Sequence, residues 1–429
     1  MLAHDIRRDV DRAWDAVWST GVTNPIVVSD LLGTLLMASA SPNAWKRLRD
    51  SVAGGSAESI AGELATVRRG YGLDPGSEIE APEFWAADHS LLRTMDLIGP
   101  VVTAHGDVMG DIYEHILARL SLAGHFGQFR TPRHIVDFMV EAIDPQEGEV
   151  VADPACGSGG FLVSSSDYRK RLARTGSEFG IEIDRTIARI ALANTVFHGM
   201  NSGVILHGDG LTQNLPTKPD VILANPPFAG AVSAEVSARF SSGSNKTELL
   251  FVEAISNALA DGGRAAVVVP SGVITGGNGA AKYLRRFLVE ANTLEAVIDL
   301  PSGVFRPYTD VKTAILIWRN TRPSSDSKTK MVRVEADGFS LDARRLPVTE
   351  NDLPMVLRVL AGEPSDVLST DVDSSSIAGH DYNLNPSRYL TVRDVEQASV
   401  PRVDEALSLL KESVSKISTK LARIEELIS

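Results

Sequence analysis

Cysteine is almost missing from this sequence, which has a single one, Cys156, among 429 residues. One cysteine excludes an internal disulfide and a zinc site built from several thiolates, and it fits a reducing compartment. Cys156 lies in a glycine-rich stretch, where a small packed residue is the favoured interpretation and a nucleophilic thiol the alternative. We assign no metal site.

Positive charge is also in short supply, because 42 Lys and Arg stand against 55 Asp and Glu, which gives a net charge of -13. Non-specific affinity for DNA comes mainly from Lys and Arg that neutralise phosphates. A chain with this net negative charge that acts on DNA therefore needs clustered basic residues or a partner subunit that binds the DNA.

Long apolar runs are absent as well. The longest strand-like stretches, Ala265–Val269 and Ala314–Trp318, are far shorter than the roughly 20 residues that span a bilayer. The first residues include Asp5, Arg7 and Asp9 and form no apolar signal region. We therefore expect a cytoplasmic protein without membrane contact.

The length exceeds what one hydrophobic core usually supports, so two or three structural units are expected. Apolar residues at helical spacing, among them Val10, Trp14 and Val17, predict an N-terminal helical domain over residues 1–104. Residues 105–325 alternate β-rich runs with helical stretches, which is typical of an α/β fold with a parallel sheet covered on both faces. Thr321–Lys330 resembles a linker, residues 326–400 a mixed extension and residues 401–429 one helix.

Seven strands are predicted in the α/β part. They are Val150–Ala152, Phe179–Ile183, Gly203–His207, Val221–Ala224, Arg264–Val269, Leu294–Asp299 and Thr313–Trp318.

A glycine-rich turn follows the first predicted strand, running from Asp153 to Gly160 before a helix that opens at Phe161. Glycines allow close approach of backbone to ligand, and a helix N-terminus can hold polar ligand groups. Glu182, near the end of the next strand, can accept hydrogen bonds from ribose hydroxyls. These features alone fit a dinucleotide enzyme equally well.

The residues at the ends of two further strands argue against a dinucleotide enzyme. Asp209 and Gly210 close the third strand, where a carboxylate can accept a hydrogen bond from an adenine amine, and Asn225 closes the fourth. A dinucleotide enzyme has no use for an Asn-Pro-Pro-aromatic turn at that position. Each carboxylate alone could be a helix cap or a surface group, but together at strand ends they favour a binding site.

The turn from Asn225 to Phe228 suits an exocyclic amine. The Asn225 side-chain oxygen and the Pro226 carbonyl can each accept one amine hydrogen, which makes the nitrogen more nucleophilic. Pro226 and Pro227 fix the backbone and remove competing N–H donors, and Phe228 offers a flat face for an extruded base. Direct transfer depends on positioning, so no histidine base is assigned. The alternative is a plain Pro-Pro turn after a core strand.

In this order the motifs resemble the amino-methyltransferases that use S-adenosylmethionine to modify adenine N6 or cytosine N4 in DNA. Further segments narrow the resemblance to the modification subunit of type I restriction-modification systems, most strongly from about residue 105 to 320. Those segments are Trp14–Trp18, Thr23–Pro25, Gly127–Arg133, Lys246–Phe251, Leu300–Phe305 and Val311–Leu316. Asp381–Tyr389 also resembles a motif of the family, whereas residues 38–100 fit it poorly.

The resemblance implies a Rossmann-like methyltransferase sheet with an N-terminal helical domain and a C-terminal helix, and a chain that makes N6-methyladenine in DNA. It assigns catalysis to Asn225, Pro226, Pro227 and Phe228. It assigns S-adenosylmethionine binding to Phe129, Thr131, Pro132, Asp153, Ala155, Gly157, Ser158, Gly159, Gly160, Glu182, Asp209 and Gly210.

The last helix carries a heptad pattern that predicts a partner. Apolar residues alternate steps of four and three, at Val403, Leu407, Leu410, Val414, Ile417, Leu421, Ile424 and Ile428. Such a repeat keeps one seam facing a companion helix; the alternative is a helix folded back on its own domain. The resemblance implies a specificity subunit as companion, DNA as substrate, a restriction and translocation subunit as a further partner, and two copies per complex.

Two other functions remain open at this point. A catalytically idle, cofactor-binding scaffold in a defence complex could keep the same fold. Protein-glutamine and RNA amine methyltransferases share the Asn-Pro-Pro-aromatic turn, although they are typically shorter.

Overall fold

The computed structural model describes residues 4–19, 21–22, 24–72, 90–104, 109–122, 131–200, 204–228 and 230–390. The predicted helix over residues 401–429 and the predicted cofactor residue Phe129 lie outside this part of the chain. Within it, no helix is long and apolar enough to cross a membrane.

The N-terminal part is helical, as the apolar spacing predicts. Its helices are α1 (His4–Trp18), α2 (Pro25–Ser39), α3 (Pro42–Ala53), α4 (Ala57–Gly70), α5 (Ser90–Ala104) and α6 (Met109–Leu122). Helix α2 starts at a proline, and the Asn24 side chain caps it by accepting a hydrogen bond from the Ile26 N–H at 2.9 Å. Leu31, Leu32 and Leu35 are buried around its circumference, so α2 is the central helix of this domain.

One mixed sheet forms the α/β part. Nine strands of the described residues join it in the order β11-β8-β6-β7-β5-β4-β1-β2-β3. They are β1 (Val150–Asp153), β2 (Ser177–Glu182), β3 (Ile205–His207), β4 (Val221–Ala224), β5 (Arg264–Pro270), β6 (Thr293–Asp299), β7 (Thr313–Arg319), β8 (Lys328–Arg333) and β11 (Leu368–Asp373). Strands β7 and β11 run antiparallel to their neighbours, and the other pairs are parallel. β9 (Asp337–Phe339) and β10 (Pro347–Asn351) pair separately.

The sheet extends beyond the seven predicted strands, because β8 and β11 come from the segment expected to be a mixed extension. The predicted linker is also too long, since β8 begins at Lys328. Thr329, Met331 and Val332 are buried while Lys328 and Arg333 face solvent, and the surrounding Ser, Asp and Lys residues obscure this strand in the sequence. The proposed domain boundaries stay predictions.

Helices cover both faces of the sheet. Helices α7 (Arg133–Ile143) and α14 (Leu353–Leu360) pack on one face, and α11 (Thr247–Ala258), α12 (Ser271–Thr275), α13 (Gly279–Glu290) and α15 (Ser374–Gly379) pack on the other. The short helix α10 (Ala234–Ser237) precedes α11. Successive residues of β4 alternate between the two cores, with Val221 and Leu223 on one side and Ile222 and Ala224 on the other. A parallel strand buried on both faces is therefore apolar throughout.

The helical domain packs against α9 (Arg185–Phe197), the helix that follows β2, while α8 (Gly160–Arg171) follows β1. The Asp30 carboxylate of α2 accepts hydrogen bonds from Arg68 at 2.7 Å and from Arg189 of α9 at 3.0 Å. Ile187 and Ile190 of α9 join the apolar core of the helical domain. The domain thus supports the sheet directly behind the end of β2.

Candidate active site

The predicted site residues collect at one edge of the sheet. Asp153 and Glu182 end β1 and β2, Asp209 follows β3 and Asn225 follows β4, and these four strands are adjacent in the order β4-β1-β2-β3. Because the strands are parallel, their carboxyl ends meet at the same edge, where ligands bind in open α/β sheets.

The glycine-rich turn between β1 and α8 is supported from behind by α9. Gly157 and Gly159 adopt φ values of 53° and 80°, a left-handed conformation that glycine tolerates best. A Cβ on Gly159 would lie 3.6 Å from the Ala191 Cβ, so α9 packs closely against the turn. The Asn194 side-chain N–H of α9 also donates to the Ser158 carbonyl at 2.9 Å.

Two buried carboxylates lie beside this turn. Asp153 accepts a hydrogen bond from the Ala155 N–H at 3.0 Å, and Glu182 accepts from the Gly157 N–H at 3.0 Å and the Asp184 N–H at 2.9 Å. They are 2% and 6% exposed. Burial raises the pKa of Asp153 to about 8 and raises the pKa of Glu182 as well. A ligand that donates hydrogen bonds to these groups would favour their ionised forms.

The Asp209 loop touches the β1 loop. The half-buried Asp209 accepts a hydrogen bond from the Leu211 N–H at 2.9 Å. A Cβ on Gly210 would lie 1.9 Å from the Pro154 carbonyl oxygen, so only glycine allows the two loops to meet. The loops that follow β1 and β3 thereby meet at the edge of the sheet that also carries Glu182.

Cys156 is a packed residue of the turn. It is buried, and its N–H donates to the Ile181 carbonyl at 3.0 Å. A Cβ on Gly180 would lie 2.8 Å from the Cys156 sulfur, which places the thiol tightly against β2. Burial raises the pKa of the thiol well above its ordinary value, so the structure favours packing over nucleophilic chemistry.

The asparagine of the turn after β4 is hydrogen-bonded to a residue from a distant segment of the chain. The Asn225 side-chain N–H donates to the Thr131 hydroxyl at 2.9 Å. Thr131 is 9% exposed and stands immediately before Pro132 and helix α7. Sequence reasoning brought Thr131 to the site only through the family resemblance, and nothing in the sequence indicates its contact with Asn225.

The rest of the turn is fixed by an aromatic contact. Pro226 is buried, Pro227 is exposed and Phe228 is half-buried. The Phe228 ring meets the buried Phe305 ring edge-on, with 6.5 Å between centroids and an interplanar angle of 68°. Such a contact stabilises one orientation of the Phe228 ring.

Sequence reasoning missed two residues at this edge. Ile183 is placed in the second predicted strand, but it lies just beyond β2 and is 65% exposed beside Glu182. Thr247, the first residue of α11, donates its hydroxyl to the Pro227 carbonyl at 3.0 Å and accepts from the Gly230 N–H at 3.1 Å. An apolar residue directly after a strand-end acid is the only signal for Ile183, and the motif Lys246–Phe251 contains Thr247 without showing its contact.

The described residues contain no candidate metal site. Among them, no group of three or more His, Cys, Asp or Glu side chains could hold a metal ion.

Comparison with known proteins agrees with the geometry. The family model for N-6 DNA methylases matches residues 104–398. The type I restriction enzyme EcoEI methylase subunit of Escherichia coli is 37% identical over 234 residues, which are 51% of this chain and 48% of that protein. The EcoKI methylase subunit of Escherichia coli strain K12 is 28% identical over 341 residues, which are 70% of this chain and 64% of that protein. The chain thus spans about half to two thirds of these relatives.

Solved structures share the fold. A chain from work on complex assembly and conformational transition of the type I R-M system matches 97% of each chain with 26% identity and a TM-score of 0.69. A modification subunit of a putative type I restriction enzyme from Vibrio vulnificus YJ016 matches 67% of this chain and 65% of its own, with 27% identity and a TM-score of 0.59. The predicted methyltransferase fold and the resemblance to type I modification subunits are confirmed.

Proposed function

Because the chain belongs to the N-6 DNA methylase family, we propose that it transfers a methyl group from S-adenosylmethionine to adenine N6 in DNA. We propose that it does so as the modification subunit of a type I restriction-modification complex. The observation that carries the proposal is the position of Asn225: its amide lies at the carboxyl end of β4, tied to Thr131 and next to the strand ends that carry Asp153, Glu182 and Asp209.

The residues around the glycine turn suit S-adenosylmethionine. Glu182 would accept hydrogen bonds from the ribose, Asp209 from the adenine amine, and the exposed Ile183 would offer its side chain to the purine face. The raised pKa values of Asp153 and Glu182 support this assignment, since both buried carboxylates gain from ligand donors. Thr131 and Pro132 would border the methionine end, with Ala155, Gly157, Ser158, Gly159, Gly160 and Gly210 around the turn. Bound there, the cofactor supplies a methyl group on a sulfonium centre.

The turn after β4 would hold the target base. The Asn225 Oδ1 and the Pro226 carbonyl would each accept one hydrogen of the adenine amine, which would make its nitrogen more nucleophilic toward a methyl donor. Phe228, fixed by Phe305, presents a ring on which an extruded base can stack. Pro227 and Pro226 contribute no N–H donors to this pocket.

Transfer of a labelled methyl group tests the proposal. The full-length chain, its specificity subunit and methyl-labelled S-adenosylmethionine are incubated in parallel with unmethylated DNA, with RNA and with a glutamine-containing protein, and the digested products are examined by mass spectrometry. We expect label in N6-methyladenine. Label in protein glutamine or RNA would instead support the related amine methyltransferases, and cofactor binding without transfer to any of these substrates would support an idle scaffold.

Partners are part of the proposal. The net charge of -13 favours a separate DNA-gripping subunit, and the heptad seam over residues 401–429 would bind its helices. We further propose two copies per complex, a restriction and translocation subunit as an additional partner, and a cytoplasmic location, because the substrate is cellular DNA.

Truncation checks the role of the heptad helix. We expect a chain ending near Val400 to bind S-adenosylmethionine but to fail to join the specificity subunit and to methylate DNA. Size-exclusion chromatography of truncated and full-length chains with that subunit measures complex formation. Equal complex formation by both chains would reject this assignment and favour a helix that packs on its own domain.

A further inference from the structure

We propose that Thr131 is a positioning residue for methyl transfer, which holds the Asn225 amide in place without touching the base, and that Thr247 holds the backbone of the same turn. This inference rests on the proposed function. The family resemblance implies that Thr131 binds the cofactor. We assign its hydroxyl to the Asn225 amide instead, because this hydroxyl accepts a hydrogen bond from the Asn225 side chain at 2.9 Å.

An asparagine amide needs such an anchor. Its side chain can rotate about two bonds, whereas a group that receives an amine must stay at one position. A threonine hydroxyl can accept from Nδ2 or donate to Oδ1, so the bond to Thr131 fixes where the amide lies and does not by itself select which amide atom faces a ligand. In the structure, Nδ2 is the atom that lies at Thr131.

Thr131 is itself held in place. Pro132 restricts the Thr131 backbone to extended conformations, and α7 begins directly after it. The first turn of α7 is anchored by His134, whose ring nitrogen contacts the buried Asp337 carboxylate at 3.0 Å. A hydroxyl on a fixed backbone, 9% exposed, is suited to hold one neighbouring amide in place.

Thr247 holds the backbone of the turn. Its hydroxyl donates to the Pro227 carbonyl at 3.0 Å and accepts from the Gly230 N–H at 3.1 Å, while its own N–H donates to the Gly230 carbonyl at 3.0 Å. A Cβ on Gly230 would lie 2.7 Å from this hydroxyl, so glycine is needed for the approach. These bonds give the Lys246–Phe251 motif a physical role: it fixes the residues that follow Asn225.

The test separates positioning from cofactor binding. Single-turnover methyl transfer at saturating S-adenosylmethionine and calorimetric cofactor binding are measured for Thr131→Val, Thr131→Ser and Thr247→Val in the full-length chain with its specificity subunit. Thr293→Val is the matched control, because its hydroxyl bonds the Thr321 carbonyl at 3.0 Å near the start of β6, at the opposite edge of the sheet.

We expect Thr131→Val to slow transfer by about 10- to 100-fold, as a misplaced reacting group does, with cofactor affinity nearly unchanged. Thr131→Ser should recover most of the rate, Thr247→Val should cause a smaller loss, and Thr293→Val none. If Thr131→Val unfolds on thermal melting, Thr131→Ala removes the same hydroxyl and carries the same expectation.

Two results would overturn the inference: transfer at the wild-type rate by Thr131→Val, or a loss that additional S-adenosylmethionine restores, which would make Thr131 a cofactor ligand. Failure of the proposed function would look different, because the wild-type complex itself would not methylate adenine. In that case, the anchoring role is tested by measuring hydrogen exchange of the Asn225 side-chain amide by NMR. Faster exchange in Thr131→Val supports the anchor, and equal exchange contradicts it.

Discussion

The two halves of the active-site edge hold their functional groups in different ways. On the proposed cofactor side, carboxylates accept hydrogen bonds from backbone N–H groups: Asp153 from Ala155, Asp209 from Leu211, and Glu182 from Asp184 and Gly157. On the proposed base side, side-chain hydroxyls from other segments hold the turn: Thr131 lies 94 residues from Asn225, and Thr247 lies 20 from Pro227. Backbone N–H groups thus hold one half, and side-chain hydroxyls hold the other.

From this difference we expect the two proposed functions to be separable. A carboxylate held by backbone N–H groups keeps those donors when a side chain of another segment is changed, whereas an amide bonded to such a side chain loses its partner. We therefore expect substitutions on the two sides to affect different quantities, namely the affinity for S-adenosylmethionine and the rate of methyl transfer.

The largest expected effect is that of Asn225→Ala. It should lower the methyl-transfer rate by about 100- to 1000-fold, because the lost acceptor acts mainly in the transition state. Cofactor affinity, measured by calorimetry, should stay nearly intact. Transfer by this variant at the wild-type rate, with the specificity subunit present, would make the assignment of Asn225 wrong.

Glu182→Ala tests the cofactor side. Loss of the proposed hydrogen bonds to the ribose should weaken S-adenosylmethionine binding by about 1 to 3 kcal/mol, measured by calorimetry. Glu147→Ala serves as the control, because the exposed Glu147 precedes β1 at the opposite edge of the sheet and, like Glu182, accepts a hydrogen bond from a backbone N–H, that of Thr175. An unchanged affinity for Glu182→Ala, or a wild-type complex that binds no cofactor, would contradict the assignment.

Phe228→Ala tests whether the proposed base side captures the extruded base by stacking. Removing the ring should reduce capture of the extruded base by about tenfold, toward the lower end of what stacking contributes, because Phe305 stays in place. Fluorescence of 2-aminopurine at the target position reports base capture. A loss of cofactor affinity of the same size would show that the two sides are not independent.

Asp153→Asn addresses a different quantity, the pH dependence of stability in the cofactor-free chain. Burial raises the pKa of Asp153 to about 8, whereas an unfolded chain has about 3.9. A carboxyl whose pKa rises on folding loses stabilising free energy as pH increases from the unfolded to the folded value. The Tm of Asp153→Asn relative to wild type should therefore be higher at pH 8 than at pH 5. The exposed Asp326→Asn is the control, and a pH-independent difference would contradict the expectation.

Strand-end residues could be predicted from the sequence, whereas contacts between distant segments could not. Asp153 and Asn225 are found from sequence because each follows an apolar strand, and parallel strands bring such ends together. The Thr131–Asn225 contact joins segments whose adjacency depends on how α7 packs on the sheet, so no local pattern encodes it. Strand β8 was missed for a similar reason: Lys328 and Lys330 resemble a linker until Met331 and Val332 are seen in the core.

One paired measurement tests the separation of the two sides most directly. For Glu182→Ala and Asn225→Ala, cofactor Kd and single-turnover rate at saturating S-adenosylmethionine are determined on the same full-length complex. We expect Glu182→Ala to raise Kd while its rate recovers at saturation, and Asn225→Ala to lower the rate while its Kd stays near the wild-type value. If both variants lost affinity and rate together, the two sides would form one cooperative unit, and the account would be contradicted.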